Sequence, residues 1–432
     1  MRLTKTLLAN IFCILFVTLC ACWYYKANIR YVVPALAGES DFGIYYRAAG
    51  DILAGKSPYE NPAYFYPPLV GFAMAPLALL NYLAAKWTWF VLSQLFLLGA
   101  GVAVWRGMGY SRYALCSVAA MWALGGAAAE TLRGGQMSPL LVLVIACAYC
   151  QRGRLQGIFV SAGFVLKYIP GILGVTLLLQ RRWRSLSTCA ALSLAGVAIP
   201  WLVISRWFAG VRAPVNAHYW MGTPAMFSWS IPSMVLRAFV PAHRAAALPV
   251  EWEFGNVAST LHLTSALEWL SVGAALATLA VGILALAWAC RWRLNEEQVP
   301  WAMAALVSLS LAAGPVCWTH YQILQYPGAA MLLAAALERK AWRTAAAVAL
   351  CFALTYRWPE LALVAYKDTY GGWTAYSPAT LYFWTSVPTL AGLGLFGIAV
   401  AYVHAVRAQP VPERERVVLP MREAVPRMVQ VI

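Results

Sequence analysis

Charge is scarce in this sequence of 432 residues. Only 11% of the residues are charged, whereas 62% are hydrophobic. A water-soluble domain has about a quarter of its residues charged, so this composition excludes a soluble globular protein and indicates a chain that faces lipid. The formal net charge of +16 is compatible with nucleic-acid binding, but the basic residues stand in short clusters at the ends of apolar runs. That arrangement is typical of the cytoplasmic ends of membrane helices, and we expect no nucleic-acid partner.

Recognisable motifs for metals, nucleotides and cofactors are also missing. The sequence has five histidines, and none forms a metal-ligand spacing with another histidine or a carboxylate. It has no Walker loop, no Gly-x-Ser-x-Gly elbow and no dinucleotide fingerprint. Cys147 and Cys150 form one C-x-x-C at a predicted helix end. A metal or redox site there stays open, although packing is the simpler interpretation. We therefore expect no metal and no cofactor.

Long apolar runs are what the sequence has in place of polar surface. A full crossing takes about 20 residues, and several runs are shorter, which indicates half-spans or helices sheltered by their neighbours. The first run resembles a signal peptide, but the spans that follow favour an uncleaved first helix. We predict an all-α polytopic membrane protein of about 11 to 12 transmembrane helices. The runs are Leu7–Tyr25, Lys86–Trp105, Tyr113–Ala129, Pro139–Cys150, Gly157–Leu179, Leu186–Ser205, Ala266–Cys290, Trp301–Gly314, Ile323–Leu337, Trp342–Tyr356 and Pro378–Val406.

Basic clusters predict the orientation of these runs. Arg2 and Lys5 place the N-terminus inside, which makes residues 26–85 and 206–265 large outer loops. The run Pro67–Leu80 then cannot be a span and is predicted to lie in the outer interface. Residues 1–406 form the transmembrane domain in this interpretation. The proline-rich, charged tail of residues 407–432 is predicted to be cytoplasmic and disordered.

One run needs a break. Basic residues follow Gly157–Leu179 on the same side as they precede it, so this run must enter the bilayer and return. Pro170 and Gly171 are suitable breakers, next to Lys167. A lysine at the centre of a membrane helix costs roughly 2.5–3.5 kcal/mol. We therefore expect Lys167 to face a polar cavity or the outer interface.

The aspartates all fall on the predicted outer side: Asp41, Asp51 and Asp368. Asp41 begins a short helical pattern, where Ser40 or Asp41 would be expected to cap the helix. Tyr45, one turn later, would share a face with Asp41. Spacing alone favours the cap over a catalytic role.

Several other polar and aromatic residues carry two interpretations. Gln136, above a helix start, either binds a polar ligand or caps the helix, and His320 and His218 at outer boundaries are either ligand-binding groups or polar tips in water. The aromatic residues of the first outer loop fit an interfacial belt, although sugar rings also stack on aromatic faces. These residues are Tyr45, Tyr46, Tyr59, Tyr64, Phe65 and Tyr66.

Taken in order, these motifs resemble glycosyltransferase family 87, polytopic enzymes of the GT-C fold that use polyprenyl-phosphate sugars, the best known being mannosyltransferases. The resemblance runs from about Leu7 to Tyr321 and rests on order and spacing. The motifs are Asp41 with Tyr45-Tyr46, Gly55-Lys56-Ser57-Pro58-Tyr59, Tyr66-Pro67-Pro68, Gly135-Gln136, Lys167-x-x-Pro170, Arg181-Arg182-Trp183-Arg184 and Trp318-x-His320-Tyr321.

The resemblance implies a mechanism, and it favours a catalytic role for Asp41 over a helix cap. An acidic residue of the first outer loop, here Asp41, would serve as general base for the acceptor hydroxyl. Lys167 and His320 would hold the donor phosphate. Gln136 and Tyr45 would orient sugar hydroxyls, with Tyr59 as a further substrate-binding residue. Inversion from a β-linked donor would leave an α-glycoside.

The resemblance also implies the partners and the location. They are a lipid-linked sugar donor, a lipid or glycan acceptor, and the cytoplasmic membrane of a bacterium, with the site facing the periplasm or exterior. One departure concerns the large outer loop, where the family often has Asn-x-Ser upstream of an arginine. Here the stretch reads Ser228-Trp229-Ser230 before Arg237. A transporter or lipid flippase is the alternative, but it would place charges within the spans and favour internal repeats.

Overall fold

The structure is a computed structural model, and it describes residues 2–60, 64, 66–207, 228–239, 265–355 and 378–408. Within these ranges the chain has no β-strand and one isolated bridge, between Ser228 and Trp318. The predicted all-α polytopic class is confirmed. The described α-helices of six or more residues are α1 Arg2–Tyr24, α2 Phe42–Leu53, α3 Pro68–Ala78, α4 Tyr82–Gly107, α5 Arg112–Leu124, α6 Ala127–Gly134, α7 Ser138–Cys150, α8 Arg154–Leu166, α9 Gly174–Leu179, α10 Trp183–Trp207, α11 Ile231–Phe239, α12 Ser265–Ala289, α13 Val299–Ala313, α14 Tyr326–Glu338, α15 Trp342–Leu354 and α16 Pro378–Ala408.

The helices differ in their ability to cross a bilayer. Among the described residues, four helical stretches are long and apolar enough: Thr6–Ala37, Tyr82–Gly107, Ser265–Ala289 and Tyr382–Val406. Helices α5 and α6 form a fifth if they are counted as one span, bent by 61°. Six further apolar stretches have 10–17 residues. The short runs noted in the sequence therefore form short helices that pack within the bundle.

Small residues allow close packing between the short helix α8 and the long helix α10. A side chain at Gly157 in α8 would lie 2.4 Å from the Ser185 carbonyl oxygen in α10, so only glycine allows this approach. Further along the same pair, Ser193 Oγ donates to Ser161 Oγ at 3.1 Å. Lipid tails give helices no hydrophobic reason to associate, so close packing and interhelical hydrogen bonds supply the attraction.

Connections that the basic clusters place inside meet at one end of the bundle. Glu296, before α13, accepts from both Arg152, before α8, and Arg182, before α10. The Leu294 amide donates to the Leu179 carbonyl at 3.1 Å beside them. Helices α7, α8 and α13 lead from this end to the opposite one, and at 13–15 residues each is about 20 Å long.

Among the described residues of the predicted first outer loop, α2 and α3 are the two short helices that the sequence indicates. Helix α3 has 11 residues, about 16 Å, which is too short for a crossing, and it packs against α2. Its position in the outer interface stays a prediction. His218, Asp368 and the tail of residues 409–432 lie outside the described residues.

Candidate active site

Asp41 occupies the N-cap position of α2 without capping it. Within the described residues its carboxylate makes no hydrogen bond to the first turn of the helix. Instead Asp41 Oδ2 accepts a hydrogen bond from Gln136 Nε2, from a distant part of the chain. The buried Lys86 donates to the Gly38 carbonyl and so fixes the segment just before Asp41 on α4. The capping interpretation is therefore wrong, and the exposed Asp41 side chain is available for chemistry.

Gln136 joins Asp41 to Tyr45. Its side chain is 2% exposed, and Oε1 accepts from the Tyr45 hydroxyl at 3.0 Å while Nε2 donates to Asp41. Helix α7 has Met137 at its N-cap, with no side-chain capping bond among the described residues, so the predicted cap is not formed by Gln136. The amide has one donor and one acceptor neighbour, which fixes its orientation.

A glycine places Gln136. Gly135, the C-cap residue after α6, has φ +62, a left-handed conformation that glycine adopts without strain. A side chain there would lie 2.6 Å from Phe42 Cβ, the first residue of α2. Trp89 Nε1 donates to the Gly135 carbonyl at 2.9 Å. Thus glycine at position 135 is needed for close approach of α2 to the α6–α7 turn.

Lys167 follows the end of α8, where the chain is extended before the 3-10 helix Ile169–Leu173. This is the predicted break, and it lies outside the candidate spans. The side chain is buried, with Nζ 3.6 Å from the ring centroid of Tyr321 and 5.5 Å from that of Tyr66. Among the described residues, Nζ has no hydrogen-bond partner. Its three donors are therefore available to a ligand.

The surroundings of Asp41 and Lys167 shift the two pKa values toward each other. Burial raises the pKa of Asp41, although Lys167, the Gln136 hydrogen bond and Arg133 all oppose this. Solvent reaches the side chain of Asp41, but enough protein surrounds it to reduce its hydration. Burial lowers the pKa of Lys167 to about 7, against the opposing effects of Asp41 and Cys317. Shifts of this kind, with a specific charge partner, are common at functional sites.

His320 lies beside this group on the 3-10 helix Thr319–Gln325. Its ring packs edge-on against Tyr321 at 4.5 Å, and its carbonyl accepts from Thr131 Oγ1 at 3.1 Å. Burial, and then the charge of Lys167, lower the pKa of His320 well below its usual value. Within the described residues, Nε2 is buried without a hydrogen-bond partner. The residue is thus a neutral, half-buried imidazole rather than the polar tip in water that its position suggested.

The aromatic residues of the first outer loop form a cluster inside the protein. Tyr45 and Tyr64 are fully buried and Tyr66 is 7% exposed, so the interfacial-belt interpretation is wrong for these three. Tyr66 packs edge-on against Tyr45 at 4.7 Å. Tyr59 packs on Tyr64 at 5.4 Å, and its hydroxyl donates to the Tyr66 carbonyl at 3.1 Å. Tyr59 therefore packs behind Tyr64 and Tyr66 and supports the aromatic cluster next to the site.

Three residues near Asp41 and Lys167 were missed in the sequence. Tyr66 and Tyr321 both occur in the quoted motifs, but nothing in their spacing indicates contact with a lysine. Arg133, which influences Asp41, pairs with Glu130 at 3.0 Å one turn away on α6. A contact between distant segments cannot be read from local pattern, so only the fold reveals these neighbours.

Residues 228–239, part of the predicted large outer loop, pack against the same region. The Trp229 amide donates to the Cys317 carbonyl at 2.7 Å, and the Cys317 amide donates to Ser228 Oγ at 3.1 Å. Arg237, which is 8% exposed, donates to the Ser228 carbonyl at 2.8 Å and to the Thr385 carbonyl at 3.3 Å. The stretch of residues 228–230, which departs from the family pattern, is therefore hydrogen-bonded to Cys317, just before His320.

Comparison with known proteins defines the class. A family model described as Glycosyltransferase family 87 matches residues 64–318, more than half of the chain. The helical membrane architecture and this match define a membrane glycosyltransferase. The chain belongs to glycosyltransferase family 87. The match is shorter at both ends than the resemblance found in the sequence, so it includes Gln136 and Lys167 but not Asp41 or His320.

A bacterial mannosyltransferase is also similar over most of its length. The polyprenol-phosphate-mannose-dependent alpha-(1-2)-phosphatidylinositol pentamannoside mannosyltransferase of Mycolicibacterium smegmatis is 26% identical over 317 residues. The aligned region covers 69% of this chain and 70% of the relative.

Proposed function

We propose that this protein transfers a sugar, mannose in the first instance, from a polyprenyl-phosphate donor to a lipid or glycan acceptor. The reaction takes place on the outer face of a bacterial cytoplasmic membrane. The observation that carries the proposal is the arrangement of Asp41, Gln136 and Tyr45 near Lys167, whose ammonium has no hydrogen-bond partner among the described residues. The donor class is supported by the family and by the name of the mycobacterial relative.

Asp41 is the general base of this proposal. Its carboxylate takes the proton of the acceptor hydroxyl while that oxygen forms a bond to the anomeric carbon and the bond from that carbon to the phosphate oxygen breaks. A pKa raised by burial makes the carboxylate a stronger base than an ordinary aspartate. Attack from the face opposite the phosphate inverts the anomeric centre, so a β-linked donor gives an α-glycoside.

The leaving group is a polyprenyl phosphate, which needs its charge balanced more than it needs a proton. Lys167 would donate hydrogen bonds and positive charge to the phosphate oxygens. His320, whose pKa is lowered by burial, would donate a hydrogen bond as a neutral ring. Because the lysine supplies the positive charge, we propose that the reaction uses no metal and no cofactor.

The sidedness of the proposal follows from the two ends of the bundle. Arg152 and Arg182 meet at Glu296 at one end, and basic residues favour the cytoplasmic side. Helices α7 and α8 connect this end to Gln136 and Lys167 at the other. These positions support the proposal of a site that faces outward.

The test is transfer of radiolabelled mannose from polyprenyl-phosphate mannose to endogenous lipid and glycan in membranes that contain equal amounts of each variant. Asp41→Asn should lower the rate about 10²–10⁴-fold, because it removes the base and keeps the shape. Asp51→Asn is the matched control, since Asp51 lies on the same helix at its far end, and it should retain the wild-type rate.

An Asp41→Asn protein that is folded and as active as the wild type would show that Asp41 is not the base. Absence of any transfer by the wild type, together with movement of labelled donor across the membrane, would instead support the flippase alternative.

A further inference from the structure

The environment of Lys167 contains a second feature, the aromatic ring of Tyr321. Lys167 is 8% exposed, and its Nζ lies 3.6 Å from the centroid of this ring. The ring of Tyr66 is the next closest, at 5.5 Å. Aromatic faces attract cations within about 6 Å of the ring centroid, most strongly where water is excluded.

Tyr321 is held firmly in place. It is 2% exposed, its amide donates to the Trp318 carbonyl at 2.9 Å, and the His320 ring packs against it edge-on. The 3-10 helix that begins at Thr319 packs in turn on α6 and α7, on either side of Gln136. The ring face of Tyr321 therefore has a defined position relative to Gln136, which donates a hydrogen bond to Asp41.

This contact attracts the ammonium without using its hydrogen-bond donors. A carboxylate in the place of the ring would accept hydrogen bonds from Nζ and compete with an anionic ligand. A ring face attracts the charge through its quadrupole, so the N–H groups stay available. Among the described residues no hydrogen-bond acceptor takes them.

We propose that Tyr321 is a positioning residue for donor binding, holding the Lys167 ammonium on its ring face so that its N–H groups are presented to the phosphate of the lipid-linked donor. Tyr66 contributes a weaker contact to the same cation. This inference rests on the proposed function, because it assigns the phosphate to Lys167.

The experiment replaces Tyr321 by phenylalanine and then by phenylalanine carrying one, two and three ring fluorines, introduced by nonsense suppression. Ring fluorines weaken the attraction for cations in steps while hardly changing the shape. The KM for polyprenyl-phosphate mannose should rise with each fluorine, to about 30-fold for the most fluorinated ring, equivalent to about 2 kcal/mol. The KM for the acceptor should stay constant.

Tyr326→Leu is the matched control, because Tyr326 is also 2% exposed but packs on Trp122 and Phe352 instead. It should leave the KM for the donor unchanged, whereas Tyr321→Leu should raise it by at least as much as the full fluorine series.

A KM for the donor that does not depend on the number of fluorines would overturn the assignment, as would equal effects of the two leucine variants. Failure of the proposed function looks different, since the wild type and the phenylalanine variant would then both lack transferase activity.

Discussion

Replacing Lys167 by methionine should make the protein more stable and inactive. Burial lowers the pKa of this lysine from 10.5 to about 7. One unit of pKa corresponds to 1.36 kcal/mol, so keeping the lysine in the folded protein costs about 4 kcal/mol at pH 7. The lost contact with Tyr321 offsets about 2 kcal/mol of this. Lys167→Met should therefore raise the free energy of unfolding by about 2–4 kcal/mol.

The assay is equilibrium unfolding in detergent micelles, with wild type and variant compared at several pH values. Because the folded pKa lies below the unfolded one, the unfolded chain binds more protons between pH 7 and pH 10.5. The stability of the wild type therefore rises with pH in this window. The advantage of Lys167→Met should shrink by about 2 kcal/mol from pH 7 to pH 9.

Lys167→Arg is the control, since arginine keeps its charge throughout this pH range. Its stability should stay below that of Lys167→Met, and the difference between the two should not narrow as the pH rises. The reasoning would be refuted if Lys167→Met were less stable than the wild type at pH 7, or if its advantage grew with pH. Either result would mean that the buried ammonium stabilises the fold rather than serving a ligand at the expense of stability.

Two further variants test the geometry around the base. Gln136→Ala removes a hydrogen bond to the charged Asp41, worth about 1.5–3 kcal/mol. It should lower kcat about 10- to 100-fold in the mannose transfer assay, while the KM for the donor changes little. An unchanged kcat would contradict the proposed orientation of the base. Gly135→Ala forces a side chain to within 2.6 Å of Phe42 in a left-handed conformation, so it should lose both activity and thermal stability. Gly109→Ala is its control, since Gly109 has a similar φ of +67 but nothing among the described residues within 4 Å of the added carbon; equal losses in the two variants would show that backbone strain alone is responsible.

The sequence could predict much of the fold because membrane helices are defined locally. Apolar runs and basic clusters depend on neighbouring residues, and they indicated the helical class, the break at Lys167 and the short helix over Pro68–Ala78. The shortness of α7, α8 and α13 was visible as short runs. What these helices pack against was not, because Gly157 and Ser161 reveal their partners on α10 only in the folded protein.

In the candidate site, too, the sequence predicts individual residues but not the contacts between distant segments. Sequence patterns indicate Asp41, Gln136 and Lys167 separately, and the structure places them in one neighbourhood. The cap at Asp41 failed because its partner is Gln136, 95 residues later, and spacing near Asp41 contains no trace of it. Tyr321 was quoted within a motif, but its contact with a lysine more than a hundred residues earlier depends on the way α8 ends beside the 3-10 helix.

The hydrogen bond between Gln136 and Asp41 makes the two carboxylate oxygens unequal. Tyr45 occupies the amide oxygen of Gln136, so the amide nitrogen must point at Asp41 Oδ2. A carboxylate oxygen has two lone pairs, and the Gln136 N–H group takes one of the two on Oδ2. Oδ1 is therefore the more basic oxygen and the one expected to take the proton of the acceptor hydroxyl, which indicates the side of Asp41 from which that hydroxyl arrives.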